Sequence, residues 1–267
     1  MTGFPEHIHA IDIHNHVWPG PDGRLDRFRA QALLDGAGIL NIESICVSTP
    51  LMSDAPTPDE VRRANDVVFE AMAMDKRFLG FCFVNPGHSD DAVTEILRCV
   101  VDGGMRGVKL YHQYLVCDPA QRPVMDYAAE LGIPVLMHAG KFISMAHQLT
   151  QPRLSHAGHF IRAAKMFPGT ILIQGHIGGG GDWEWNLRQL ECRPGTYIDI
   201  SGSVVDAGIV RRTVDALGAD HVLFATDGFL EEGVGKLLDA GLSEDELELI
   251  CRRNAEKLLQ MEGGHHV

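Results

Sequence analysis

The sequence predicts a (β/α)8 barrel, and three observations predict it. The chain has 267 residues, a length at which α/β barrels commonly form one domain. Short β-rich apolar runs alternate with longer segments of helical period, the pattern of parallel strands joined by helical crossovers. Eight such runs occur, enough to close a barrel. A single domain over residues 1–267 is therefore expected.

The strands are expected, in order, at residues 10–17, 43–49, 78–85, 106–111, 133–138, 170–176, 196–201 and 221–226. Helical crossovers are expected at 58–75, 89–103, 122–131, 155–167, 182–191, 204–217 and 230–240, each long enough to span the barrel. The Pro-rich Ala55-Pro56-Thr57-Pro58 reads as a loop leading into a helix. The last segment opens on Ser243-Glu244-Asp245-Glu246, a capping-box pattern, and continues with Leu247, Leu249, Ile250, Leu258 and Leu259, which predicts a terminal helix. The tail Gly263-Gly264-His265-His266-Val267 reads as a frayed end.

Composition narrows the function. The formal net charge is −13 and no Lys/Arg-rich block occurs, which argues against nucleic acid or an anionic membrane surface and for a small-molecule substrate. The N-terminus lacks a basic segment followed by an apolar run, and no apolar stretch reaches the roughly eighteen residues of a membrane span. A cytoplasmic protein is expected. The six cysteines, Cys46, Cys82, Cys99, Cys117, Cys192 and Cys251, lie far apart with no Cys-x-x-Cys pair. Reduced, mostly buried thiols are expected rather than disulfides or a zinc knuckle.

In the first strand Asp12, His14 and His16 alternate with Ile11, Ile13 and Val17. Strict alternation puts the polar set on the barrel's inner face, with two imidazoles converging near its C-terminal mouth. Neutral imidazole is a good zinc ligand, but a lone His-x-His at a strand end is more often only solvated or hydrogen-bonded. The weight comes from the other strands. His138 ends Val135-Leu136-Met137-His138, His176 ends Leu172-Ile173-Gln174-Gly175-His176, and Asp227 ends Leu223-Phe224-Ala225-Thr226-Asp227. Ligand-type side chains finishing three more strands at the same end of a barrel predict a metal site.

These residues lie in segments that resemble the amidohydrolase superfamily, and within it the amidohydrolase-2 branch of small metal-dependent barrel hydrolases and decarboxylases. The resemblance covers essentially the whole chain. It rests on Asp12-Ile13-His14-Asn15-His16, Gly104-Met105-Arg106-Gly107-Val108-Lys109-Leu110, Gly132-Ile133-Pro134-Val135-Leu136-Met137-His138-Ala139-Gly140, Gly175-His176-Ile177-Gly178-Gly179, Tyr197-Ile198-Asp199-Ile200-Ser201-Gly202, Ala225-Thr226-Asp227-Gly228 and Asn254-Ala255-Glu256-Lys257-Leu258-Leu259.

The resemblance implies that His14, His16, His138 and Asp227 bind one divalent ion, usually zinc, and that His176 contacts the water on that ion or the substrate. Three imidazoles and a carboxylate leave an open position for a water whose pKa falls toward about 7 on zinc. Asp227 is then placed to accept its proton as general base, and His176 to polarise a carbonyl or stabilise an oxyanion.

Binuclear relatives in the superfamily carry a carbamylated lysine at the end of strand four, where Lys109 stands. The amidohydrolase-2 branch commonly has such a lysine without a second metal. An ordinary ammonium that binds a substrate anion or a structural carboxylate is favoured; a second ion follows only if Lys109 is carbamylated. His112 stays open between lining the pocket and sitting on a surface loop. Asp199 either supports a ligand histidine or is satisfied by backbone amides, and Ser201 is placed to face the pocket.

Gly178-Gly179-Gly180-Gly181 lacks both the P-loop and the Rossmann spacing and reads as a flexible active-site loop. Trp183 and Trp185 read as helix anchors. His147, His156 and His159 lie in the insertion after strand five and its helix, where reaching substrate is the lesser reading. His7, His9, His88 and His221 are assigned no role.

The leading expectation is a metal-dependent hydrolase acting on an amide, lactone or related ester-like bond through a metal-activated water. Its direct alternative is a metal-dependent non-oxidative decarboxylase of a small aromatic or enol-bearing acid. Residue types do not separate the two. The chain is shorter than is usual for family decarboxylases and the connection after strand one, residues 18–35, is brief, which tilts toward hydrolysis. A non-catalytic barrel scaffold would have lost ligand residues, and all are present. Family members are often homo-oligomers, and the sequence selects no assembly.

Overall fold

The computed structural model describes residues 8–190 and 193–261. Eight parallel strands follow one another around the sheet in chain order: β1 (Ala10–His16), β2 (Ile42–Ser48), β3 (Phe78–Phe83), β4 (Gly107–Leu110), β5 (Pro134–Met137), β6 (Ile171–Gln174), β7 (Thr196–Asp199) and β8 (Val222–Leu223). Backbone hydrogen bonds from Ile13 N to Phe224 O (3.0 Å) and from Asp227 N to His14 O (2.9 Å) return the last strand to the first. The architecture is the (β/α)8 barrel expected from the sequence.

The helices are α1 (Arg27–Ile39), α2 (Pro58–Met74), α3 (Ser89–Ile96), α4 (Arg122–Leu131), α5 (Met145–Thr150), α6 (Ala157–Met166), α7 (Trp183–Gln189), α8 (Ile209–Leu217), α9 (Leu230–Asp239), α10 (Glu244–Glu248) and α11 (Asn254–Leu258). Local chemistry starts several of them. Thr57 and Glu60 form a capping box ahead of α2, with Pro58 in its first turn. Ser243 and Glu246 form the box expected ahead of α10.

Some helices depart from expectation. The segment expected at 204–217 becomes helical only at Ile209, because Gly208 takes a left-handed φ of 74° just before it. The α1 helix was not anticipated. It buries only Ala30, Leu34 and Ala37 and carries two glycines, so its apolar period is faint.

The core has two shells. Strand residues such as Val47, Cys82, Val108, Val135 and Phe224 pack outward against helix residues such as Val68, Val124 and Ala163. A second cluster is built from strand residues, among them Ile11, Ile13, Phe81, Leu136, Ile173 and Leu223, together with Ala255, Leu258 and Leu259 of the terminal helix. This inner cluster corrects the strict alternation expected for β1, since Ile11 and Ile13 belong to it. The β1–β2 ladder slips register between Asp12 and Asn15. Such an irregularity re-aims side chains, and His14 reaches the interior as well.

Five of the cysteines, Cys46, Cys82, Cys99, Cys117 and Cys251, are buried free thiols. Cys192, His7 and the tail histidines lie outside the described residues. Among the described residues no helix is long and apolar enough to cross a membrane.

Candidate metal centre

The strand ends converge on one cluster. His14 and His16 come from β1, Lys109 from β4 and Asp199 from β7, while His138, His176 and Asp227 follow β5, β6 and β8. His176 and Asp227 both adopt left-handed backbone, at φ 64° and 52°. For non-glycine residues this costs on the order of 1–3 kcal/mol and persists only where the surroundings enforce it. Here the backbone N–H of His176 donates to Asp199 Oδ1 at 2.9 Å and that of Asp227 donates to His14 O at 2.9 Å. Gly175 keeps this corner open, because a Cβ there would meet Met137 O at 3.0 Å and the His14 ring at 3.2 Å.

The hydrogen bonds behind the imidazoles set which ring atom faces forward. Burial alone would raise the Asp199 carboxyl, but His14, His176 and the Ser201 hydroxyl pull it well below the usual carboxylate range. Asp199 is therefore an acceptor only, and His14 Nδ1, 2.8 Å from its Oδ2, carries the hydrogen. His14 Nε2 is left with a lone pair. His16 Nδ1 faces the Ser48 carbonyl at 3.3 Å and its hydroxyl at 3.1 Å. His16 Nε2 faces Asp227 Oδ1 at 3.0 Å, a contact that lowers the Asp227 carboxyl when Nε2 carries the ring hydrogen.

Donor atoms of His14, His16 and Asp227 all lie within 4.8 Å of one another, and imidazole held from behind by an oxygen is the usual form of a metal ligand. These residues fit a divalent ion by the chemistry and spacing of their donors. Donor atoms of His14, His176 and Asp199 are equally close. In that trio, however, Asp199 already accepts from His14, from the backbone of His176 and from Ser201.

The other expected site residues surround this set. Lys109 is fully buried with its Nζ 2.5 Å from His14 Nε2; burial lowers it to about 8, opposed by Asp227 and Asp199. Its ammonium donates to a histidine rather than to a carboxylate. His138 does not join the His14, His16 and Asp227 donors directly. Its Nδ1 is 2.9 Å from His176 Nε2 and its Nε2 is 3.0 Å from Gln151 Oε1. His176 Nδ1 lies 2.8 Å from Ser201 Oγ. Burial takes His176 down to about 4 and His138 well below the ordinary imidazole value, so both are neutral at pH 7, the form that binds metal.

Asp12 sits beneath the site and joins β1 to the end of β8. It accepts from Thr226 Oγ1 (2.5 Å), Thr226 N (3.2 Å), Asn15 Nδ2 (3.0 Å) and His14 N (3.1 Å). Burial pushes its carboxyl up to about 7 against the pull of these donors.

A cleft opens over the site, lined by Trp18, Pro50, Met52 and Tyr111 along with His16, His138 and Asp227. Trp18 packs 5.5 Å from the His16 ring and Tyr111 4.4 Å from the His138 ring. Sequence reasoning missed Trp18, Met52, Tyr111 and Gln151. Trp18 and Tyr111 each stand two residues beyond a site residue at a strand end, and that spacing was the available signal. Gln151 carried none, since it reaches His138 from an irregular insertion.

His112 is buried rather than on a surface loop. It packs 4.7 Å from the Tyr111 ring, with Nδ1 3.5 Å from Asp54. His156 and His159 stack at 3.9 Å and cap α6 with each other, so they serve helix structure. The side chain of His147 lies outside the described residues. The glycine run is pinned rather than free. Lys141 N donates to Gly179 O at 2.9 Å and Ile143 N to Gly180 O at 3.2 Å, and a Cβ on Gly179 would lie 2.5 Å from Ala139 O. Trp183 is buried with Nε1 donating to Asp206 at 2.8 Å, whereas Trp185 packs against His156 and Lys141.

A family model described as amidohydrolase matches residues 11–261. Among solved structures, 2,6-dihydroxybenzoate decarboxylase from Rhizobium resembles this one with a TM-score of 0.73 at 20% identity, covering 98% of this chain and 100% of that one. 5-Carboxyvanillate decarboxylase from Sphingomonas paucimobilis gives 0.72 at 17% identity, covering 95% and 99%. Dihydroxybenzoic acid decarboxylase from Polaromonas sp. JS666, with bound manganese and the inhibitor 2-nitroresorcinol, gives 0.69 at 16% identity, covering 95% and 97%. At these identities the likeness is one of fold. A local similarity to DNA topoisomerase 1 of Mycobacterium leprae (strain TN), 36% identical over 81 residues, takes in 28% of this chain and 9% of that protein's length, and it transfers no activity.

Proposed function

The chain belongs to the amidohydrolase-2 family of metal-dependent enzymes, and from that premise we propose that it is a non-oxidative decarboxylase of a small aromatic or enol-bearing carboxylic acid. The observation that carries this reading is the cleft. Trp18 and Tyr111, with Met52 and Pro50, offer apolar walls for a flat ring above a floor of imidazoles and one carboxylate. Relatives in fold that act on dihydroxybenzoates and 5-carboxyvanillate support the same choice. Hydrolysis, favoured from the sequence because the connection after strand one is brief, loses that argument: the short connection itself brings Trp18 to the cleft.

A divalent ion at His14, His16 and Asp227, with His138 beside them, would supply the Lewis acidity that grips the carboxylate or a neighbouring hydroxyl of the acid. Imidazole and carboxylate ligands accept both zinc and manganese, and metal analysis of the purified protein distinguishes them. The chain's own residues carry the remaining steps. Trp18 and Tyr111 pack the faces of the ring and exclude water. Asp227 lies 3.0 Å from His16 with about a quarter of its side chain open to the cleft. It takes a proton from a substrate hydroxyl or from water and delivers it to the ring carbon bearing the carboxylate. A C–H bond forms there, the bond to the carboxylate breaks, its electron pair returns to the ring, and carbon dioxide leaves.

The test is to load the protein separately with Zn2+ and Mn2+ and offer hydroxylated benzoic acids, lactones and amides while recording carbon dioxide and proton release together. Carbon dioxide evolution with loss of one carboxylate from the ring is expected. Hydrolysis of a lactone or amide without carbon dioxide would overturn the proposal.

A further inference from the structure

We propose that Gln113 is a positioning residue: from the turn after β4 it clamps the loop after β2, and so holds Met52 as a wall of the cleft. The clamp stands on contacts alone. What Met52 does for a substrate rests on the decarboxylase reading above.

The loop runs from Thr49 to the cap of α2 at Thr57. Its ends are tied, by Thr49 Oγ1 donating to Val17 O (2.8 Å) and by Asn85 Nδ2 donating to Pro56 O (2.9 Å). Between those ties, residues 50–55 make no main-chain to main-chain hydrogen bond with the described residues. Met52 stands in the middle of this stretch, 63% exposed, and with Pro50 it lines the cleft. A segment with so few ties of its own takes its shape from whatever holds its carbonyls.

Gln113 holds them. It is buried, 1% exposed, and its Nε2 donates to Leu51 O at 2.9 Å and to Ser53 O at 2.8 Å. The two hydrogens of one planar NH2 thus go to the carbonyls on either side of Met52, which fixes the chain before and after that residue. Burial keeps water from substituting as the donor. A second tie is weaker. Arg153 Nη2 lies 3.4 Å from Asp54 Oδ1, but the two side chains are 43% and 64% exposed, and solvent screens such an ion pair to little. Tyr111, two residues before Gln113, lines the same cleft. The tail of β4 therefore supplies one wall directly and fixes another through the clamp.

Gln113→Leu removes both donors at similar size and leaves the histidines and Asp227 untouched. Gln113→Glu removes them at nearly identical shape and serves if circular dichroism shows the first variant unfolded. Thermolysin digestion of the full chain, followed by mass spectrometry, reads the clamp without any substrate. Cleavage before Leu51 or Met52 is expected to be about tenfold faster in either variant than in wild type, with cuts elsewhere unchanged. In Mn2+-loaded protein acting on a hydroxylated benzoic acid, KM is expected to rise about 3–10-fold with kcat within about twofold, the size of one lost thioether–ring contact. Met52→Ala should match that KM, and adding Gln113→Leu to it should raise KM no further, whereas a merely structural role would add its own loss. Equal cleavage rates in wild type and variants would overturn the clamp. Faster cleavage with additive or absent KM effects would overturn the assignment of Met52 to the substrate wall. Failure of every acid to lose carbon dioxide would overturn the decarboxylase reading, and the cleavage rates would still decide the clamp.

Discussion

His16 Nε2 stands 3.0 Å from Asp227 Oδ1, and Asp227 is delivered to that position by a left-handed backbone at φ 52°. The contact joins the first strand to the end of the last.

Asp227→Asn removes the carboxylate's negative charge while keeping shape, and asparagine tolerates left-handed backbone as well as aspartate does. Metal affinity is expected to drop, and turnover to fall about 10²–10⁴-fold if the carboxylate moves the proton. Circular dichroism should show an unchanged fold. Unaltered Mn2+ and Zn2+ affinity would remove Asp227 from the centre.

The metal-free protein is expected to lose stability as pH falls from about 6.5 to about 4. Burial lowers His176 and His159 to about 4 and takes His138 well below the ordinary imidazole value. Across that window the unfolded chain binds more protons at these positions than the folded one does, so acid favours unfolding. Asp12 opposes them. Raised to about 7, it is protonated in the fold but ionised in the unfolded chain over much of the same range. Several histidines against one carboxyl decide the sign. Urea midpoints at pH 7, 5.5 and 4.5 check it, and a maximum at the acid end would contradict it.

Gly179→Ala forces a Cβ to within 2.5 Å of Ala139 O and 2.9 Å of His176 Cβ. The first obstacle is backbone that cannot swing aside, so a loss of about 1–3 kcal/mol is expected. Because His176 is also displaced, metal affinity should weaken with it. A melting temperature equal to wild type would show that the loops after β5 and β6 slide freely past each other.

Trp18→Ala opens one wall of the cleft. Loss of a ring contact worth about 1.4 kcal/mol raises KM about tenfold, with kcat changed less, and Trp18→Phe should recover most of it. Steady-state kinetics on the best substrate of the panel measures the split. An unchanged KM would mean that substrate rests elsewhere.

Much of the barrel was legible because strand formation here is local. Apolar runs such as Val135-Leu136-Met137 and Leu172-Ile173 are buried on both faces and bounded by glycine or proline, and their limits agree with the structure to within a few residues. The α4 helix coincides with its expected span, since Pro123 starts it and Gly132, at φ 65°, ends it. The α1 and α5 helices were not legible, because the first buries few side chains and the second is one short turn in an insertion. Alternation along β1 misled for a definite reason: it assumes an unbroken ladder, and this ladder slips between Asp12 and Asn15.

By itself the sequence determined that eight strands would form and that His14, His16, His138, His176 and Asp227 would stand at their C-terminal ends, because period and strand limits depend on neighbours along the chain. Tertiary structure decided what those side chains face. That Asp199 holds both His14 and the Ser201–His176 pair, that Lys109 points at a histidine, and that Trp18 and Tyr111 wall one cleft are relations between residues up to 185 positions apart. Only closure of the barrel brings them within hydrogen-bond reach.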